Sequence, residues 1–100
     1  MTRDTFKCIL KKCIAPRLEE LGFRLVNYYY YKIEIDNEKF CYCGFIASTR
    51  GAKQEITEYC ICIGDSTGSN FFVVNESAQP ITKEQIIDNF NKVEAFLLEE

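Results

Sequence analysis

The chain has 100 residues, 47% hydrophobic and 27% charged, the balance of one globular domain large enough to bury a core without staples. Its net charge of −3, with Lys7, Lys11, Lys12 and Arg17 on one segment and Lys32, Lys39, Arg50 and Lys53 scattered after it, excludes a nucleic-acid partner. Histidine is absent, which removes Cys-His and Ser-His pairs and any imidazole ligand for a metal.

No apolar run reaches the roughly 18 residues of a membrane span, and Met1-Thr2-Arg3-Asp4 leads into a mixed polar pattern instead of a signal-peptide core. A cytoplasmic location and no membrane partner are expected, and in that compartment the six cysteines stay reduced.

Residues 5–21 read as an amphipathic helix with Phe6, Ile9, Leu10, Cys13, Ile14, Leu18 and Leu21 on one stripe. Thr2 or Asp4 caps its start, Pro16 breaks it near residue 14 or 15, and Gly22 ends it. Cys8 projects away from the stripe toward solvent. From there the apolar period changes to two. Four strands are predicted, at about 23–35, 39–48, 56–64 and 70–76, joined as a meander.

The turns set the register. Asn37-Glu38 as a two-residue turn places Ile35 opposite Phe40, Ile33 opposite Tyr42 and Tyr29 opposite Ile46, with Lys32 and Glu34 beside Cys43 and Cys41 on the other face. A two-residue turn near Gly51 brings Cys41, Cys43, Cys60 and Cys62 together on that second face. Asp65-Ser66-Thr67-Gly68 reads as a three-residue hairpin loop with a left-handed glycine, which puts Phe71 and Val73 on the first face and Phe72 and Val74 on the second. Residues 82–99 form the last helix, opened by the capping box Thr82/Gln85 and the staple Ile81/Ile86.

The expected fold is α+β, a four-stranded antiparallel meander with N- and C-terminal helices (α-β-β-β-β-α). The first face, from Leu25 and Tyr29 through Tyr31, Ile33, Phe40, Tyr42 and Ile46 to Tyr59, Ile61 and Ile63, is a plain core for the helices to cover. If both helices lie there, in two layers, the second face stays open; one helix on each face would give three layers. Two layers are preferred, because a continuous meander lets both flanking helices pack on one side. The second face then carries Tyr28, Tyr30, Cys41, Cys43, Phe45, Cys60, Cys62, Phe72 and Val74, too apolar to leave in water, which marks an interaction surface.

The cysteine pairs are Cys-x-Cys, so each pair shares one strand face instead of forming the C-x₂-C turn that wraps a zinc ion. Small buried apolar residues account for them, and no cofactor is expected. The loop Gly64–Ser69 has the small residues of an anion loop but lacks the lysine and helix of a P-loop, and a hairpin turn explains it.

The stretch Phe6-Lys7, Leu10, Ile14-Ala15-Pro16-Arg17-Leu18-Glu19-Glu20-Leu21-Gly22-Phe23 resembles the opening of small bacterial domains of unknown function. In those domains a helix broken by proline ends at Leu-Gly-Phe and runs into an antiparallel sheet. The likeness covers under a quarter of the chain, implies an α+β fold and carries over no functional residues. The expected function is a non-enzymatic protein-binding module or homodimer, an adaptor, immunity-like or chaperone-like protein working through Tyr28, Tyr30, Phe45, Phe72 and Val74. The alternative is a thiol-based redox or metal-binding protein using Cys41, Cys43, Cys60 and Cys62.

Overall fold

The computed structural model describes residues 1–27 and 30–99. A broken helix opens the chain as α1 (Arg3–Ile9), a π-helical turn over Leu10–Ile14, and α2 (Ala15–Glu20). The Thr2 side chain accepts from the Thr5 N–H and caps the start. Pro16 brings no N–H, so a carbonyl one turn back loses its helical donor; the backbone widens there, and Ala15 N–H bonds to the Leu10 carbonyl five residues back. The end is a Schellman turn. Gly22, at φ +98°, donates to the Glu19 carbonyl while Phe23 donates to that of Leu18, and both Leu18 and Phe23 are buried.

Five antiparallel strands follow among the described residues, at Arg24–Asn27 (β1), Tyr30–Glu34 (β2), Phe40–Arg50 (β3), Glu55–Asp65 (β4) and Asn70–Glu76 (β5), in the spatial order β1-β2-β3-β4-β5. The chain closes with α3 (Lys83–Glu99), whose capping box is reciprocal: Gln85 N–H donates to Thr82 Oγ1, and Thr82 N–H to Gln85 Oε1. The class is α+β with an antiparallel sheet and a helix at each end, as expected. The strand count is not. The predicted strand 23–35 is two strands, β1 and β2, paired antiparallel through Arg24–Lys32, Leu25–Tyr31 and Asn27–Tyr30. Tyr28 and Tyr29 lie outside the described residues, so the expected division of four tyrosines between two faces extends only to Tyr30 and Tyr31.

Both helical segments pack on one face of the sheet, making two layers. Phe6, Leu10, Ile14 and Leu18 from the N-terminal helix and Ile86, Phe90 and Val93 from α3 form one cluster with Tyr31, Cys43, Phe45, Tyr59, Ile61 and Ile63. Ring contacts tie the layers: Phe6 to Tyr59 at 5.5 Å, Phe45 to Phe90 at 6.5 Å, Phe72 to Phe96 at 5.1 Å. The two helices are clamped to each other as well. The Arg17 guanidinium lies over the Phe90 ring and makes a two-pronged pair with the Glu94 carboxylate.

The register departs from the expected one at three places, each by a single residue. Residues 35–39 form the first loop, since Glu34 pairs with Phe40; Asp36 Oδ1 accepts from the Glu38 and Lys39 amides. Ile33 therefore faces Cys41 instead of Tyr42, and β3 is turned over relative to the prediction. Next, Thr49 pairs with Ile56 but Ser48 with Glu58, so Thr57 is the extra residue of a β-bulge. Without it, Cys43 would face Cys62 and the two Cys pairs would share a face. With it, Cys43 faces Ile63 and the pairs are split. Finally, Gly68 does adopt the left-handed conformation (φ +86°), and Asp65 N–H bonds to the Ser69 carbonyl as a three-residue loop requires. Gly64 then pairs with Asn70 but Ile63 with Phe72, so Phe71 is bulged and β5 is turned over too.

Candidate functional site

The alternation of each strand assigns the faces. Tyr31, Cys43, Ile63 and Phe72 form one cross-strand row under the helices, and Phe45, Ile61 and Val74 the next. The opposite face is covered by no described element. Tyr30 and Lys32 from β2, Tyr42, Gly44 and Ile46 from β3, Cys60 and Cys62 from β4 and Val73 from β5 occupy it.

One half of this open face is closed over by its own aromatic rings. Tyr30 and Tyr42 stack at 5.3 Å with 28° between their planes. They lie low against the sheet because two glycines let them. A Cβ on Gly64 would come within 2.5 Å of the Tyr42 ring and of the Ser69 carbonyl, and one on Gly44 would meet Cys62 Sγ at 3.4 Å. The Tyr42 hydroxyl is anchored by donating to Asn70 Oδ1 at 2.7 Å, and Cys62 Sγ donates to the Gly44 carbonyl at 3.6 Å. Cys62 is thus buried without any helix above it.

The other half is open and apolar. Ile46 is 63% exposed and Val73 43%, with the bulged Phe71 at 45% beside them. A shallow groove of about 220 Å³ borders Ile46, and its lining is mostly polar: Ser48, Glu58, Asn75, Glu76 and Ser77 beside Ile46, Tyr59 and Cys60. Charge is confined to the ends: Lys32 pairs with Glu34 at 3.3 Å and sits over the Phe40 ring, and Glu58 accepts from Ser48 Oγ. A monomeric domain leaves few contiguous apolar patches of this kind in water.

The structure redistributes the residues predicted for this site. Tyr30 is on the open face as expected, and Tyr28 lies outside the described residues. Phe45, Phe72 and Val74 are corrections. They point under the helices, Phe45 between Tyr31 and Phe90 and Phe72 against Phe96, because the loop at 35–39 and the Phe71 bulge turned β3 and β5 over. Their places are taken by Tyr42, Ile46 and Val73, which the predicted register had assigned to the core. Their residue types alone carried no signal that could have reversed that choice, since both faces of β3 and β5 are apolar.

The four strand cysteines do not converge. Cys41 and Cys43 lie on the helix-covered face and Cys60 and Cys62 on the open one, with the sheet backbone between them. Burial pushes the thiols of Cys43, Cys60 and Cys62 up, strongly for Cys43, so these three stay protonated near neutral pH and are weak nucleophiles. No cluster of three or more potential metal ligands occurs among the described residues, and no helix among them is long and apolar enough to cross a membrane. Comparison with known proteins found no matching family model, no matching curated protein and no matching solved structure.

Proposed function

We propose that this chain is a non-enzymatic protein-binding module, and that the open face of its sheet is where it binds, with a second copy of the chain as its first partner. The carrying observation is the exposure of Ile46 and Val73 on a sheet face that no described element covers. Strand rises of about 3.3 Å and spacings of about 4.8 Å give this sheet about 600 Å² in projection. Side chains corrugate that surface, bringing its accessible area toward the roughly 800 Å² per partner of a standard interface.

Its anatomy also favours association: an apolar middle with stacked tyrosines, and charges held at the rim. Two such sheets would pack face to face about 10 Å apart, as in a β-sandwich. Light scattering after size exclusion, over a hundredfold range of concentration, tests this. The unaltered chain is expected to approach twice its own mass, and Ile46→Asp to remain a folded monomer. A monomer at the highest concentration, or an Ile46→Asp variant that associates as well as the parent, refutes self-association through this face.

A further inference from the structure

We infer that the cleft between the broken N-terminal helix and the β1–β2 hairpin binds a small uncharged amphiphile, its apolar tail on the cleft floor and its neutral carbonyl accepting a hydrogen bond from the Tyr31 hydroxyl. The cleft has a volume of about 480 Å³, within the range of small-molecule sites, and Leu10, Ala15, Pro16 and Leu25 make its floor apolar. It lies on the helix side of the sheet, away from the open face. Leu25 pairs with Tyr31 and so points to the helix side, yet it is 57% exposed, an apolar side chain on the covered face that the helices leave in water.

Tyr31 fixes the polar end. The residue is only 4% exposed and lines the cleft, and its hydroxyl has no hydrogen-bond partner among the described residues. A buried hydroxyl without a partner is disfavoured, and such groups are rare unless something outside the protein completes them. The ring is held by its edge contact with Phe45 at 6.0 Å. Burial, reinforced by the Glu19 carboxylate, pushes the Tyr31 pKa up, so the phenol keeps its proton and offers a donor that requires an acceptor. The rim decides the charge of that acceptor. Lys7 is already engaged in an interaction of its own, which leaves Glu19 and Lys11, of opposite sign. Glu19, the charged side chain that acts on the hydroxyl, repels an anionic head and Lys11 repels a cationic one. Either charge would also lose hydration on entering an apolar cleft. An uncharged acceptor meets neither penalty.

Octanamide, octanoate and octylammonium carry the same number of carbons and differ in the charge of the head. Each is titrated separately into the full chain and followed by amide and methyl NMR. Octanamide is expected to bind saturably, with shifts at Leu25, Ala15 and Tyr31, and the two charged probes to bind at least about fivefold more weakly. Tyr31→Phe should weaken octanamide about fivefold, the loss of one hydrogen bond between neutral groups. Glu19→Gln should bring octanoate closer to octanamide, and Lys11→Gln should do so for octylammonium. Without a probe, Tyr31→Phe should be as stable as the parent, since the hydroxyl it removes bonds to no described residue. Ile46→Asp should bind octanamide unchanged, which separates this site from the open face. The inference is overturned by the absence of saturation at millimolar octanamide, by equal affinity for the three heads, or by equal octanamide affinity in Tyr31→Phe. A destabilised probe-free Tyr31→Phe, or loss of octanamide binding in Ile46→Asp, overturns it as well.

Discussion

Phe45 and Ile46 are neighbours on β3 and similar in hydrophobicity, and the structure puts them on opposite faces of the sheet. Phe45 is 4% exposed, between the Tyr31 and Phe90 rings; Ile46 is 63% exposed. Truncating each to alanine should therefore give very different results. Phe45→Ala empties a ring-sized volume in a cluster that joins both layers, a loss of about 3–5 kcal/mol. At about 4–8 °C per kcal/mol for a domain of this size, the melting temperature should fall by roughly 12 °C or more. Ile46→Ala removes mostly solvated surface and should change stability by no more than about 0.5 kcal/mol. Urea unfolding followed by circular dichroism, at a concentration low enough to keep the chain monomeric, measures both. Equal losses, or a larger one at Ile46, would mean that β3 is one residue out of register and that the open face is misassigned.

Other perturbations test separate parts of the structure. Gly64→Ala should destabilise by about 1–3 kcal/mol, because its Cβ meets the Tyr42 ring and a backbone carbonyl at 2.5 Å; tyrosine fluorescence should report the displaced ring. Asn89, buried in α3, donates to the Tyr59 hydroxyl at 2.8 Å and to Glu76, so Asn89→Ala should cost about 1–3 kcal/mol in the same urea assay. Thiol labelling at neutral pH should find Cys8 reacting first and Cys43 and Cys62 last, in the order of their exposure; fast labelling of Cys43 would contradict its place in the core.

What could be read without coordinates was whatever depends on a few adjacent residues. The Thr2 cap, the break at Pro16, the Gly22 helix end, the Thr82/Gln85 box and the left-handed Gly68 each follow from local backbone chemistry, and each is present. That both helices share one side of the sheet was the preferred reading, because a continuous meander lets both flanking helices pack together; which face they take was not legible. The facing of individual strands was not legible either. Thr57 and Phe71 bulge within runs whose pattern looks unbroken, and a bulge adds one residue without leaving any mark in composition. Since the period of a strand is two, each such residue exchanges the faces of everything beyond it. Phe72 and Val74 were misplaced by the Phe71 bulge, and Phe45 by the loop at 35–39, which shifts the β2–β3 pairing by one residue. The split of the first strand was hidden similarly, by a run of four tyrosines that has high strand propensity throughout.

Ile46 and Val73 stand on a sheet face that no described element covers, and self-association would cover it. Methyl NMR of the isoleucine and valine side chains, recorded from dilute to concentrated protein, addresses it directly. On self-association the Ile46 and Val73 methyls should shift progressively with concentration while those of Ile61, Ile63 and Val74, beneath the helices, stay fixed. Shifts confined to other positions, or none at all in a chain that remains monomeric, would contradict it.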